Sequence, residues 1–187
     1  MNTAIDILML EHRLIERVLT ALERCAASAE EGNAISRDTV RDFGDFFANF
    51  ADKCHHAKEE DRLFATMVEF GFPKEHGPVG VMLMEHTEGR QHVGAFKRIG
   101  AGSGPLTGDD RREFIEHANA YVPLLRQHIV KEDRVLYPMA LQRLPEAEMD
   151  RMGDDFARFE TEVTGEAEHA RLERVAQSLI VQFTQAS

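Results

Sequence analysis

Apolar residues recur every three or four positions along most of this 187-residue chain, whereas the alternation typical of strands is scarce. The stripe on the first segment consists of Ile5, Leu8, Ile15, Leu19 and Leu22. Three stretches rich in turn-forming residues interrupt the pattern: EEGNAIS, GFP and GAGSGPLTGDD. The sequence therefore predicts an all-α protein with four long helices, at about residues 3–30, 36–70, 78–100 and 110–141.

Signals at the predicted helix ends support this division. Ser36 suits the N-cap of the second helix, and Pro78 suits the first turn of the third. Because the connections are short enough for antiparallel neighbours, we predict an up-down four-helix bundle over residues 1–145. Residues 146–187 contain two further helical patterns on either side of Gly165, which we interpret as a C-terminal helical extension packed on the same domain.

Composition argues against several classes of partner and location. A net charge of −11 argues against binding a nucleic-acid backbone, which needs a basic surface. No apolar run is long enough to span a membrane, and the N-terminus lacks the basic segment of a signal peptide. The two cysteines, Cys25 and Cys54, are not spaced like a metal-binding or redox pair and are interpreted as buried thiols in a reducing compartment. We therefore expect a cytoplasmic protein; no feature indicates a protein partner, and a homodimer stays open.

A short internal repeat links the second and fourth predicted helices, with CHHAKEEDRLF at 54–64 and HIVKEDRVLY at 128–137. The aligned pairs are His55 and His128, Lys58 and Lys131, Glu59 and Glu132, Glu60 and Asp133, Leu63 and Leu136, and Phe64 and Tyr137. Each copy is centred on His-x-x-x-Glu, a spacing that places the imidazole and the carboxylate one turn apart on the same helix face. Both side chains can therefore bind the same cation or two neighbouring cations.

Four histidines interrupt apolar faces rather than polar ones. His12, His86 and His128 each have apolar neighbours three, four or seven positions away, and His55 lies among small residues. Burying such imidazoles together with two carboxylates is strongly unfavourable unless a cation is present. The residues therefore predict a dinuclear iron or manganese site with six ligands: His12, His55, Glu59, His86, His128 and Glu132.

In order and spacing, these residues resemble the hemerythrin family in its broad bacterial form, the HHE cation-binding domain. The resemblance covers about residues 5–141 and rests on His12, His55-x-x-x-Glu59, His86 in MLMEHTEGR and His128-x-x-x-Glu132 in HIVKEDRVLYPMA. It implies a four-helix bundle that holds two iron ions with an oxo or hydroxo bridge, manganese or zinc being the less typical occupants. It also implies that the four histidines are terminal ligands and that the two glutamates bridge the irons.

The chain departs from the oxygen-carrying members of that family at two positions. Those members place a second histidine one turn after the third-helix histidine, where this chain has Arg90. Their last carboxylate corresponds to Asp133, but the internal repeat favours Glu132 as the ligand. Arg90 is expected to leave one metal short of protein ligands, which favours reaction at the metal over oxygen storage. The alternative is that Arg90 forms a salt bridge to a carboxylate that orients a ligand.

Other polar residues near the motifs are interpreted as structural, each with an alternative role. His56 lies about 100° round the helix from His55 and is expected to face a helix junction, with ligation as the alternative. Tyr137 is expected to pack near the site, and its alternative role is a proton or radical relay. Glu85 is expected at the surface, with contact to a ligand as its alternative. Glu166 and His169 form the one Glu-x-x-His of the sequence, interpreted as a solvated helix face because a ferritin-like site needs that motif twice.

The predicted function is that of a non-haem di-iron protein that handles or senses dioxygen, hydrogen peroxide, nitric oxide or iron. One hypothesis is an oxidoreductase of the catalase or ferroxidase type. The alternative is reversible oxygen or iron binding, or sensing without turnover, in which the extension supplies the moving part. The same ligands suit each role, because the surrounding side chains and the access route decide among them.

Overall fold

The computed structural model describes residues 4–161 and 165–184, and within these ranges the chain forms six helices and no strand. The predicted all-α class is therefore confirmed. In chain order the helices are α1 (Ala4–Glu30), α2 (37–69), α3 (Gly77–Gly100), α4 (108–143), α5 (Glu146–Phe159) and α6 (Glu166–Thr184). The predicted first helical residue, residue 3, and the last residues of the extension, 185–187, lie outside the described ranges.

The ends of the helices follow from local hydrogen bonding. The Ser36 hydroxyl accepts from the backbone N–H of Thr39 at 3.0 Å, so the predicted cap of α2 is confirmed. Helix α4 begins at Gly108 rather than at residue 110, because Thr107 and Asp110 form a capping box. The Thr107 hydroxyl accepts from the Asp110 N–H at 3.1 Å, and the Asp110 carboxylate accepts from the Thr107 N–H at 2.9 Å.

Helices α2 and α4 contain π-helical turns at the segments of the internal repeat. In α2 these turns are Phe47–His56 and Glu59–Phe64, and in α4 the turn is Glu132–Leu136. A π turn holds more residues than an α turn, so successive side chains diverge by a smaller angle. Consequently His55 and His56 are both buried, although they are adjacent in the sequence.

Two apolar clusters fill the bundle, one on either side of a polar layer. Aromatic members of the larger cluster are Phe43, Phe46, Phe47, Phe50, Phe96, Phe114 and Tyr121, and those of the smaller are Phe64, Phe72, Tyr137 and Phe156. Along α1, Leu8 belongs to the smaller cluster and Ile15 to the larger, with the buried His12 between them. The buried polar residues also separate the two clusters along α3, and along α2 and α4 in the reverse order, so those of the four helices lie at one level of the bundle.

The C-terminal extension packs across this polar layer. Helix α5 adds Met149, Met152 and Phe156 to the smaller cluster, whereas α6 adds Leu172, Ala176, Leu179 and Ile180 to the larger. Glu160, which follows α5, lies between these two contacts and accepts a hydrogen bond from the buried Lys58 at 2.7 Å. The extension is therefore attached to the bundle by two apolar contacts and by polar contacts that include Lys58 with Glu160 and Arg171 with Asp45.

Two expectations drawn from composition can be compared with the fold. Cys25 and Cys54 are both buried, and neither forms a disulfide. Among the described helices, none combines the length and the apolar character needed to cross a lipid bilayer.

Candidate metal centre

Seven histidine and glutamate side chains meet in the polar layer, and each is at most 5% exposed. They are His12 from α1, His55, His56 and Glu59 from α2, His86 from α3, and His128 and Glu132 from α4. Each of the four long helices thus contributes at least one of these side chains, which we call the central cluster.

The central cluster consists of two overlapping groups, each with four ligand atoms that lie within 4.8 Å of one another. One group consists of His12, His55, Glu59 and Glu132, and the other of His56, Glu59, His86 and His128. Glu59 belongs to both. The geometry therefore offers two neighbouring cation positions, one beside two imidazoles and the other beside three.

Both carboxylates lie between the two groups of imidazoles. Glu132 Oε2 lies 3.3 Å from His12 Nε2, and Glu132 Oε1 lies 3.1 Å from His128 Nε2. Glu59 Oε2 lies 3.6 Å from His55 Nε2 and 3.5 Å from His86 Nε2. This is the position that a carboxylate shared by two cations takes in a helical bundle.

Several buried polar atoms of the cluster make no hydrogen bond within the described residues. They are His55 Nε2, Glu59 Oε2, and both carboxylate oxygens of Glu132. The Nε2 atoms of His86 and His128 lie 3.0 Å apart and so face the same point. Buried polar atoms without partners are rare in native proteins, and converging imidazole and carboxylate donors suit iron, manganese or zinc. The residues therefore fit a pair of transition-metal cations.

The other ring nitrogen of each histidine faces a carboxylate outside the cluster. The Nδ1–oxygen distances are 2.7 Å for His12 with Asp133, 2.8 Å for His55 with Glu11, 2.6 Å for His86 with Glu60, 2.9 Å for His128 with Glu85, and 3.4 Å for His56 with Asp52. A carboxylate that accepts from Nδ1–H fixes the tautomer, so Nε2 presents its lone pair to the cluster. All five imidazoles thus direct Nε2 toward the cluster, where a deprotonated Nε2 can serve as a ligand.

Basic side chains hold these outer carboxylates in turn. Lys58 donates to Glu11, and Lys131 donates to Glu85. Lys58 and Lys131 are aligned in the internal repeat, so the two halves of the bundle build the same contact from the same positions. Glu85, which was expected at the surface, therefore takes its alternative role beside His128.

The two central carboxylates have opposite pKa shifts. Burial raises the pKa of Glu59 well above its usual value, and the charge of Glu132 raises it further. Burial also acts to raise the pKa of Glu132, but His128 and His12 hold that pKa well below its usual value. Burial acts to lower the pKa of His128, but Glu132 and then Glu85 raise it to about 9. Without a cation, His128 is therefore protonated at neutral pH and balances the charge of Glu132, while burial favours the protonated form of Glu59.

All six residues that the sequence predicted as ligands lie in the central cluster; their role as ligands stays a prediction. His56 lies there too, whereas it was expected to face a helix junction. The π turn explains the difference, because it brings His56 to the same side of α2 as His55. The sequence did contain a signal for this position of His56. The third helix has Arg90 where the oxygen-carrying members have a second histidine, and His56, next to His55, offers an imidazole in its place.

Arg90 and Asp133 lie outside the central cluster. Arg90 donates to Asp52 at 2.8 Å and to Glu60 at 2.6 Å, so it takes the salt-bridge alternative. Asp133 faces His12 Nδ1 and pairs with Arg13, whereas Glu132 faces the cluster. Three imidazoles, those of His56, His86 and His128, meet in the group nearest to Arg90, so the ligand shortage expected from Arg90 stays a prediction.

Tyr137 lies against the cluster on the side of His12. Its hydroxyl donates to Glu59 Oε1 at 2.6 Å and lies 3.3 Å from His12 Nε2. Burial, reinforced by the charge of Glu59, raises the pKa of Tyr137 well above its usual value, so the hydroxyl keeps its proton at neutral pH. Tyr137 thus combines packing with a polar contact to a predicted ligand.

The fold and the central cluster together define a helical bundle of the metal-binding class. A family model described as the hemerythrin HHE cation binding domain matches residues 3–140, and the chain belongs to this family. The matched range contains every side chain of the central cluster, whereas α5 and α6 lie beyond it. No curated protein and no solved structure matched the chain in the corresponding searches.

Proposed function

We propose that the central cluster holds two iron ions and that the chain uses them to react with dioxygen or hydrogen peroxide. In this proposal one iron is bound by His12 and His55, the other by His56, His86 and His128, and Glu59 and Glu132 are shared between them. The observation that carries the proposal is the position of Glu132. Its two oxygens are fully buried, lack hydrogen bonds within the described residues, and each face an imidazole of a different group.

The two cation positions have unequal donor sets, which favours reaction on one side. When bound, a pair of iron ions supplies redox chemistry with small oxygen species. The position beside His12 and His55 has two imidazoles rather than three, and a position with fewer protein ligands accepts an exogenous molecule more readily. Tyr137 supplies a buried hydroxyl donor on that same side.

Metal content and the visible spectrum test this proposal. We expect the full chain, loaded with ferrous iron without air and then exposed to air, to hold about two irons per chain. We expect a charge-transfer band that disappears on reduction, together with consumption of added hydrogen peroxide. A chain that takes up no iron, or that holds iron without any redox or peroxide response, contradicts the proposal.

Two neighbouring acidic residues offer a matched pair of variants. Glu132→Gln removes the charge that faces the cluster, so we expect most of the iron and the peroxide reaction to be lost. Asp133→Asn weakens only the contact that orients the His12 ring through Nδ1, so we expect iron to bind with an affinity about 10-fold to 100-fold lower. Equal iron contents in the two variants would show that Glu132 is not a shared ligand.

Sensing is a second candidate function, favoured by the contact between the extension and the central cluster. Lys58 joins Glu160 of the extension to Glu11, which in turn faces His55. A charge change at the centre can therefore act on α5 and α6 through adjoining contacts. Hydrogen exchange of α5 and α6 tests this function, and identical exchange in the oxidised and reduced proteins excludes it.

A further inference from the structure

A third group of candidate ligands lies outside the central cluster, where the extension meets α2. It consists of Cys54, Glu160 and His169, whose ligand atoms lie within 4.8 Å of one another. Cys54 is 1% exposed, and the His169 ring packs against Phe50 with the ring centroids 5.5 Å apart. Glu166 is exposed, as expected for a solvated helix face, whereas His169 on the same face is partly buried against Phe50.

His169 is placed as a ligand and not only as a packing residue. Its Nδ1 is buried and makes no hydrogen bond within the described residues, while its Nε2 lies 3.5 Å from Glu173 Oε1. A histidine with a carboxylate on one ring nitrogen and a vacant lone pair on the other is the usual arrangement beside a bound metal. Glu160 uses Oε1 for the hydrogen bond from Lys58, which leaves Oε2 for a cation.

The donor types select a class of cation. One thiolate, one carboxylate and one imidazole match the sulfur, oxygen and nitrogen ligands that Zn²⁺ accepts, with a fourth position for water. Calcium and magnesium prefer oxygen ligands only and are disfavoured by the sulfur. The group therefore differs in chemistry from the central cluster, which contains no sulfur donor.

The charges around the group call for a divalent cation. Two carboxylates, Glu11 and Glu160, lie beside Lys58, and a metal-bound Cys54 thiolate would add a negative charge. Lys58, which contacts both glutamates and interacts electrostatically with Cys54, supplies one positive charge. A divalent cation would supply further positive charge beside these anionic groups.

Solvent reaches Glu160 and His169 of this group through a cleft between α1, α2 and the extension. The cleft has a volume of about 390 Å³, and its lining includes Glu11, Phe50, Glu160, His169 and Glu173. A cation can therefore enter without passing through the central cluster.

We propose that Cys54, Glu160 and His169 form a separate, mononuclear site for a divalent cation of the Zn²⁺ type. The bound cation links α2 directly to both sides of the junction between α5 and α6. It fixes the extension to the bundle one residue away from His55, independently of iron in the central cluster.

Cobalt spectroscopy on the full metal-stripped chain tests this site. Cobalt(II) bound by a thiolate gives a sulfur-to-metal charge-transfer band in the near ultraviolet, which cobalt in the nitrogen and oxygen ligands of the central cluster cannot give. We expect this band on titration with Co²⁺ and its disappearance when Zn²⁺ is added. We also expect it to survive His12→Ala, which separates this proposal from the proposed function of the central cluster.

Matched variants assign the band to residues. We expect Cys54→Ala to abolish it and Cys25→Ala, which alters the other buried cysteine, to leave it unchanged. His169→Ala should reduce it at least severalfold, whereas His76→Ala, in the exposed α2–α3 connection, should not. Because His169 is only partly buried, its variant remains informative even where Cys54→Ala disturbs folding. The absence of the band in the wild-type chain, or its persistence at full strength in His169→Ala and Glu160→Gln, overturns the proposal.

Discussion

Glu59 and Glu132 occupy equivalent positions of the internal repeat, yet their pKa values shift in opposite directions. Their neighbours explain the difference. Glu132 lies against two imidazoles, and their positive charge when protonated lowers its pKa. Glu59 accepts a hydrogen bond from Tyr137, and the negative charge of Glu132 raises the pKa of Glu59. The central cluster therefore binds protons when no cation is present, and a cation must displace them.

Metal binding at the central cluster is consequently expected to depend strongly on pH. The pKa of about 9 for His128 means that this side chain carries a proton at neutral pH before metal binds, and the raised pKa of Glu59 favours its protonated form. Each proton released makes the apparent metal affinity rise about tenfold per pH unit. We expect the affinity to rise from acidic pH through neutrality and to level off above the His128 pKa. Competition with a chelator, corrected for the chelator's own protonation, measures this; a flat profile would contradict the predicted protonation.

His56 is expected to be needed for only one of the two cation positions. Its group contains His86 and His128, whereas His12 and His55 belong to the other group. We therefore expect His56→Ala to hold about one iron per chain rather than about two, because one donor set is reduced. Metal analysis measures this, with His76→Ala as the exposed-histidine control. Two tightly bound irons in His56→Ala would show that His56 is not a ligand and serves only in packing.

At the scale of single residues, the sequence predicted the side chains that lie one turn apart and missed those that depend on local geometry. The His-x-x-x-Glu repeat and the apolar neighbours of His12 and His86 were sufficient to bring six residues of the cluster together. His56 could not be placed, because a regular α-helix turns it away and the π turn that brings it in has no simple sequence signature. The contacts of Glu11 and Glu85 with histidines likewise depend on how neighbouring helices are aligned.

At the scale of elements, α5 and α6 cover the copy of the internal repeat on α2 and leave the copy on α4 more exposed. Lys58 is fully buried because Glu160 of the extension covers it, whereas its counterpart Lys131 is 39% exposed. The helical character of the extension and its break near Gly165 could be predicted from periodicity and a glycine. The position of Glu160 on Lys58 could not, since it depends on long-range packing of two helices on α1 and α2.

This asymmetry predicts unequal effects of two equivalent substitutions. Lys58→Met leaves the buried Glu11 without its cation, so we expect the free energy of unfolding to fall by about 3 kcal/mol. Lys131→Met, where the lysine itself is 39% exposed, is expected to cost less, about 1 kcal/mol. Denaturant unfolding of both variants in the metal-stripped state measures the difference. Equal losses would mean that the extension does not bury Lys58 in solution.

At the scale of the whole molecule, the bundle consists of two helical hairpins, α1–α2 and α3–α4, that each place a Glu-His pair on their first helix. These pairs are Glu11-His12 and Glu85-His86. Each candidate cation position draws ligands from both hairpins. The centre therefore lies at the contact between hairpins and holds them together when a cation is bound.

Cations in the central cluster are therefore expected to stabilise the whole fold. A cation that binds the folded state alone adds about 2.7 kcal/mol when its free concentration is 100 times its dissociation constant. We expect iron-loaded protein to unfold at a higher temperature than stripped protein, and this difference to be largely lost in Glu132→Gln. Thermal unfolding under anaerobic conditions measures both, and a melting temperature that is unaffected by iron contradicts a site shared between hairpins.

The division of ligands between hairpins has a consequence for the order of events during synthesis. The first hairpin is complete long before Glu132 leaves the ribosome, yet neither four-ligand group exists until α4 has docked. Assembly of the bundle must therefore come first, with protons in the polar layer, and metal enters a chain that is already folded. We therefore expect the supply of metal to set how much of the folded protein holds a complete centre.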